Sequence, residues 1–456
     1  MYTTAAHHSL EHFRQEVYHR ALGQRKDTLF ELWEATLVAS APSTLVRLSL
    51  VPVFRRRWPS APAALADGTV DPDQCRALIQ ARLADLPTDR RPVWALDGTV
   101  WPRPAAATSP ERTYGHRVNP GIPQSGIVPA WEYQWVVAVP EVRGSWVLPL
   151  DLARRGPSAP SPTALALTQL RRALALRPTG APRPVVTFDS NYDAVALAQA
   201  VQATDPAQRL AVDLLVRLNP RRRFFRAPPP YGGRGAPRKH GPLFRLRDPS
   251  SHGTPDASAR GEDPAHGWVQ VDVWLGLHSP RAATTLLTLV RVQVDHLPRS
   301  RRTPAPLWLA WAGAALPEDL LDLWRWYARR FAIEHGFRFL KQDLGWTTIR
   351  PRHPEAADRW SWLLALAFWE LWLARGVVAD QRLPWERPLP VERLTPGRVR
   401  RAFGGLVAAL GSPTRAVRSR GKAPGRRVGE CPGPRERHPV VRRRPKRAAR
   451  RRKRAA

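Results

Sequence analysis

Between residues 163 and 218 the chain alternates twice between helix-length and strand-length apolar patterns, and this constrains the fold more than any other feature. Thr163 to Leu176 has a helical period, Pro184 to Phe188 is a short unbroken apolar run, Tyr192 to Ala203 is helical again, and Val212 to Leu218 is a second run. Helix and strand in alternation build a parallel sheet through right-handed crossovers. Upstream, Val93 to Val100, Gln134 to Val139 and Ser145 to Leu150 read as strands, with a Pro140 to Gly144 turn making the last two a hairpin. The expected class is α/β, a mixed sheet flanked by helices.

The rest of the chain divides around that core. Residues 1–90 read as a helical N-terminal domain, because Leu10, Phe13, Val17 and Leu22, then Leu29, Leu32, Trp33 and Leu37, form apolar faces. Such a unit suits contact with DNA, or packing and dimerisation. Residues 91–218 and 306–348 make the expected core, the latter with a strand from Leu307 to Trp311 and one long helix from Pro317 to about Leu344. Between them, residues 219–305 read as a β-rich insertion: a Pro/Gly/Arg-rich loop from Arg221 to Gly267, then two antiparallel strands, Trp268 to Leu277 and Thr285 to Val294. Residues 349–412 form a helical C-terminal region, in which Pro354 to Val377 is apolar nearly all round and expected to be buried. Residues 413–456 are an Arg-rich tail with only Glu430 and Glu436 as acids, expected to be disordered when free.

Charge then narrows the partner. The 456 residues carry 72 Lys+Arg against 38 Asp+Glu, a formal +34. That excess points to a polyanion, nucleic acid first and an anionic membrane surface second. The most apolar stretch, Trp360 to Val378, contains Glu370 and Arg375, so a buried helix is expected there rather than a membrane span. Cys75 and Cys431 lie far apart, without metal-ligand spacing, and fit a reducing cytosol.

The chemistry concentrates in three places. Asp97 sits inside an apolar strand, where an acid is expensive unless paired. Asp189 follows the buried run Val185 to Phe188, at the sheet edge where α/β proteins bind ligands. Glu334 lies in the long helix, and at about 100° per residue Tyr327, Arg330 and Lys341 share its face. If the first and fourth core strands are neighbours, the aspartates meet and the helix adds Glu334. Three carboxylates together demand cations, the requirement of two-metal phosphoryl chemistry, and all-oxygen donors favour Mg²⁺ or Mn²⁺. Arg330 and Lys341 would then grip phosphates beside the metals. Asp193, three residues after Ser190, reads as part of a helix capping box, and His335 points about 100° away from Glu334 around the helix.

At these residues the sequence resembles the insertion-sequence transposases of the DDE superfamily, which carry a Tyr-x2-Arg-x3-Glu-x6-Lys signature. Tyr327, Arg330, Glu334 and Lys341 match it without a gap. The resemblance spans about residues 10 to 385. It implies a ribonuclease H-like core, catalytic Asp97, Asp189 and Glu334 holding two Mg²⁺ (or Mn²⁺) ions, and phosphate binding by Tyr327, Arg330 and Lys341. It further implies recognition of terminal inverted repeats in double-stranded DNA as a homodimer, hydrolysis at the element ends, and attack of a 3′-hydroxyl on target DNA. The setting would be the bacterial cytoplasm, at the nucleoid and away from membranes. Trp308 and Trp311 become candidates to stack on a flipped base, with core packing as the competing role. Asn191 stands where such enzymes often have Gly, and tolerates the left-handed backbone Gly permits. Two other readings share these residues: a non-catalytic or repurposed nucleic-acid-binding protein, and a nuclease without strand transfer.

Overall fold

The computed structural model describes residues 4–86, 91–117, 126–233, 235–298, 302–418, 425, 427–431 and 433–443. The chain opens with helices α1 (Thr4–Glu16), α2 (Lys26–Val38), α3 (Leu45–Leu48), α4 (Ser60–Asp67) and α5 (Pro72–Arg82). The start of α5 is set locally: Pro72 leads the first turn, and the Asp71 carboxylate accepts from the backbone N–H groups of Asp73 and Gln74. Every residue of α2 from Thr28 to Leu37 is buried, Glu31 and Glu34 included.

The sheet follows. Its first strands are β1 (Val93–Pro102), β2 (Thr113–Arg117), β3 (Gly126–Ala138) and β4 (Leu148–Arg155). Then come α6 (Pro162–Ala175), β5 (Val185–Phe188), α7 (Ala194–Val201) and β6 (Asp213–Arg217). Strand β1 pairs antiparallel with β3 and parallel with β5, and β5 pairs parallel with β6. All four residues of β5 are buried, as a parallel strand covered on both faces requires. The α/β class and the ribonuclease H-like arrangement expected from the sequence are present.

Beyond β6 the chain forms β7 (Arg223–Phe225), β8 (Leu243–Arg245), β9 (Ala257–Asp263), β10 (Gly267–Ser279), β11 (Ala282–Val294) and β12 (Leu307–Ala312). The order is β2-β3-β1-β5-β6-β12-β11-β10-β7-β8, with β4 on β3 and β9 on β10. The strands after β6 thus continue the same sheet, joined through antiparallel pairing of β12 with β6. Three short strands, β7, β8 and β9, occupy what the sequence presents as a loop.

Helices α8 (Leu321–Arg329), α9 (Ala332–Gln342), α10 (Pro354–Ala374) and α11 (Pro396–Leu410) complete the fold. On one sheet face, Leu323, Trp324, Trp326 and Tyr327 of α8 pack on valines of β10 and β11 and on Val93, Val185 and Leu215. Helix α10 is buried along most of its length and contacts β4 together with α1, α2, α4, α5 and α11. No helix among the described residues is long and apolar enough to cross a membrane.

Two expectations need correction. The single helix read from Pro317 to Leu344 is two helices, α8 and α9, broken at Arg330 and Phe331. Part of the tail is also placed. His438 donates its N–H to Ala107 O at 2.9 Å, Val441 donates to Arg112 O at 2.8 Å, and Val441 bridges Thr113 in parallel at the edge of β2. Arg443 pairs with Glu132 and donates to Thr113 Oγ1 at 3.0 Å. These contacts give a locally patternless segment a fixed path. Residues 444–456 lie outside the described residues.

Candidate active site

Strand register brings the two aspartates together. Leu96 of β1 pairs with Phe188 of β5, and Asp97 and Asp189 each follow by one residue. Neighbouring strands run about 4.8 Å apart, so the two acids emerge side by side at the C-terminal edge of the parallel strands. Asp189 is held by Asn191, which donates its backbone N–H at 2.9 Å and its side-chain amide at 2.7 Å. Asn191 does this without a left-handed backbone; its amide, rather than its tolerance of positive φ, is what the site uses.

Asp97 accepts from the Gly98 N–H at 2.7 Å. Burial, reinforced by the neighbouring Asp189, pushes its carboxyl up to about 6; Arg330 and the Gly98 N–H oppose the rise, and Glu334 adds to it. The influence of Asp189 and Glu334 on Asp97 shows that the three carboxylates lie near one another.

The helix pair crosses above these strands. At the α8/α9 break the bonds shorten to i→i−3: Arg330 N–H to Tyr327 O at 3.0 Å, and Ile333 N–H to Arg330 O at 3.0 Å. Arg330 and Phe331 keep right-handed helical dihedrals, so the break is one overtightened turn and the polar face survives it. Arg330 Nη1 lies 3.1 Å from Asp97 Oδ2 and Nη2 lies 3.6 Å from Glu334 Oε1. The Tyr327 ring is 5.7 Å from the same guanidinium, and burial raises its phenol, opposed by Arg330 and Arg217. Lys341 donates to Thr99 Oγ1 at 2.6 Å, two residues along β1 from Asp97. All six polar residues singled out from the sequence therefore surround one sheet edge.

They do not form a finished metal cage. Among the described residues no three His, Cys, Asp or Glu side chains are grouped closely enough to hold an ion. Asp97 and Asp189 offer paired hard oxygens suited to a divalent cation, whereas the Glu334 side chain is 59% exposed and meets Arg330 instead.

The tryptophan candidates fall to packing. Trp308 and Trp311 are each 3% exposed. Trp308 packs 5.5 Å from Trp274 and 5.0 Å from His252, and Trp311 stacks on Trp326 at 6.0 Å. Trp308 has no open face to offer a base, and Trp311, though buried, borders a cavity with Gln202, Thr288 and Leu316. Asp193 caps α7, but as the N-cap itself, accepting from Val195 N–H, so the box with Ser190 does not form. His335 is exposed.

Thr99, Tyr192 and Glu132 also stand beside these acids, Glu132 near Gly98 and Tyr192. Tyr192 is buried against Phe188, and burial, with the charges of Asp97 and Asp189, raises its phenol well above the usual range. The alternation of β1 places Thr99 on the Asp97 face and was the available signal for it; Tyr192 and Glu132 had none.

The model of a family described as DDE superfamily endonuclease matches residues 17–273, more than half of the chain. The matched span contains Asp97 and Asp189 and ends before Glu334. No curated protein matches the chain.

Proposed function

Because the chain belongs to the DDE superfamily of endonucleases, we propose that it is a DNA transposase whose catalytic carboxylates are Asp97, Asp189 and Glu334. The observation that carries this reading is the adjacency of Asp97, within β1, and Asp189, just past the end of β5, with Arg330 and Glu334 brought to them from the α8/α9 junction. DDE-superfamily nucleases generally use divalent metals. Two Mg²⁺ or Mn²⁺ ions, when bound, activate the attacking oxygen and stabilise the leaving one.

The residues then divide the work. Asp97 and Asp189 would hold the cations through hard oxygens, and Glu334 would complete the set from the helix. Arg330 and Lys341 grip non-bridging phosphate oxygens, and Tyr327 backs Arg330. Water attacks phosphorus, the bond to the 3′ oxygen breaks, and a proton passes to that oxygen, leaving a free 3′-hydroxyl on one fragment and a 5′-phosphate on the other. In the second step that hydroxyl attacks a target phosphodiester and expels another 3′ oxygen, so bonds made equal bonds broken. On this reading residues 91–218 and 306–348 form the catalytic core and residues 1–90 contact DNA. Two copies of the chain bring two terminal inverted repeats together, and the signature formed by Tyr327, Arg330, Glu334 and Lys341 is the one its sequence resembles.

The test is Mg²⁺- or Mn²⁺-dependent cutting of a duplex carrying the repeats that flank the gene, with a second duplex as target. Cutting and joining are expected, and both are lost in Asp97→Ala. Equal activity in that variant would overturn the assignment, whereas cutting without joining would identify a nuclease that stops after hydrolysis.

A further inference from the structure

Arg330 does something in the DNA-free protein that phosphate binding does not call for. Its two terminal nitrogens face carboxylates from two different elements, Asp97 on β1 at 3.1 Å and Glu334 on α9 at 3.6 Å. The groups facing it from the packed elements are the acids Asp97 and Glu334, the phenol of Tyr327 and the ring of Phe331, with Asp189 beside Asp97. Of the other cations nearby, Lys341 is engaged with Thr99 and Arg217 faces the Tyr327 phenol. We propose that Arg330 is a positioning residue acting as a resident counter-ion, which occupies the gap between Asp97 and Glu334, holds the third carboxylate off the aspartate pair, and must leave before a divalent cation is shared by all three. This rests on the reading that these carboxylates bind metal.

Three further observations support it. Glu334 is turned outward while the aspartates are not, and no three-ligand group forms among the described residues, as expected if the guanidinium takes the shared position. Arg330 Nε is buried without a hydrogen-bond partner, so the guanidinium leaves a donor unused where it rests, an arrangement that a bidentate phosphate improves. Finally, Arg330 is rooted at the overtightened turn between α8 and α9, and the rings of Tyr327 and Phe331, 5.7 and 5.3 Å away, offer it cation-compatible faces. A DNA phosphate that draws the guanidinium away removes the competing positive charge and frees Glu334 to close. DNA and metal are then positively coupled, and each raises the other's affinity by the same factor.

The experiment titrates Mn²⁺ alone into the full chain, following free Mn²⁺ by electron paramagnetic resonance, with and without a short duplex of arbitrary sequence. Without DNA, Arg330→Gln is expected to bind Mn²⁺ about tenfold tighter than the unaltered protein, because a like charge is removed from the site. Duplex is expected to tighten Mn²⁺ binding in the unaltered protein and to have little further effect in Arg330→Gln. Arg330→Lys, with a single-point cation, falls between them. If Arg330→Gln folds and binds Mn²⁺ no tighter, the counter-ion proposal is overturned. If it does not fold, Arg330→Lys decides alone: tighter binding supports the proposal and equal binding defeats it. Asp97→Asn separates the two levels of the argument, since Mn²⁺ binding that survives it removes the metal-site reading, whereas binding that it abolishes leaves that reading standing whatever Arg330 does.

Discussion

Arg14 and Arg330 each lie between carboxylates, yet their surroundings differ. Arg14 meets Glu34, and Glu370 at 3.1 Å, and donates to Gly411 O at 2.8 Å; the three charged side chains are 3%, 2% and 0% exposed. Beside it Glu31 is satisfied by Arg55, Arg56 and Thr414. This cluster, formed by α1, α2, α10 and the segment after α11, is shut off from solvent, and Glu370 meets Arg14 as an ion pair without hydrogen-bond geometry. Arg330 sits instead at the mouth of a sheet edge, under a glutamate open to solvent. The contrast teaches how to weigh perturbed acids: burial raises Glu370 and Asp97 alike, and access, not the shift, separates a fastening from a working site.

The sharpest way to break the comparison is to remove one acid from each cluster. Asp97→Ala, Asp189→Ala or Glu334→Gln is expected to lower DNA cleavage by at least about 10³-fold without lowering the urea unfolding midpoint. A stability loss matching the activity loss would place these acids with the fastenings. Arg14→Ala is expected to do the reverse, destabilising the protein by about 3–5 kcal/mol because the buried Glu34 and Glu370 side chains lose the cation that faces both; urea denaturation measures it.

A smaller effect is expected with pH. Burial lifts Glu370 from its ordinary 4.5 to about 8, so the native state holds a proton there that the unfolded chain gives up. Its contribution is full below 4.5 and is lost as pH rises toward 8, by at most about 1.4 kcal/mol per pH unit. Glu370→Gln should flatten that part of the stability profile, and an unchanged slope would show that Glu370 is ionised beside Arg14.

The smallest effect concerns the tail. Removing residues 419–456 keeps Thr414 and Arg415 on the helical cluster and should reduce the salt slope of DNA binding by about 0.9 for each phosphate that the tail neutralises. An unchanged slope would exclude the tail from the interface.

How much of this was legible in the sequence depends on what each element relies on. β1, β5, β6, β10 and β11 are visible because their own residues are apolar or alternate. β2 (Tyr114, Gly115, His116) and β9 (Ser258, Arg260, Glu262) are largely polar and become strands only by pairing with β3 and β10. The break at Arg330 and Phe331 has no Pro or Gly to announce it. Asp97 and Asp189 were legible as acids at the ends of apolar runs. The contact of Arg330 with Asp97 was not, because it joins residues 233 positions apart. Trp308 and Trp311 carried no local sign of whether they face a ligand or the core.

The short parallel bridge between Val441 and Thr113 has a consequence of another kind. β2 ends the sheet order on its side, and an open terminal strand offers its N–H and C=O groups to any extended chain that comes near. The C-terminal segment covers part of that row. Proteolytic trimming that takes residues 438–443 would therefore uncover a template for strand addition, and a preparation shortened to shed arginines would exchange one form of stickiness for another.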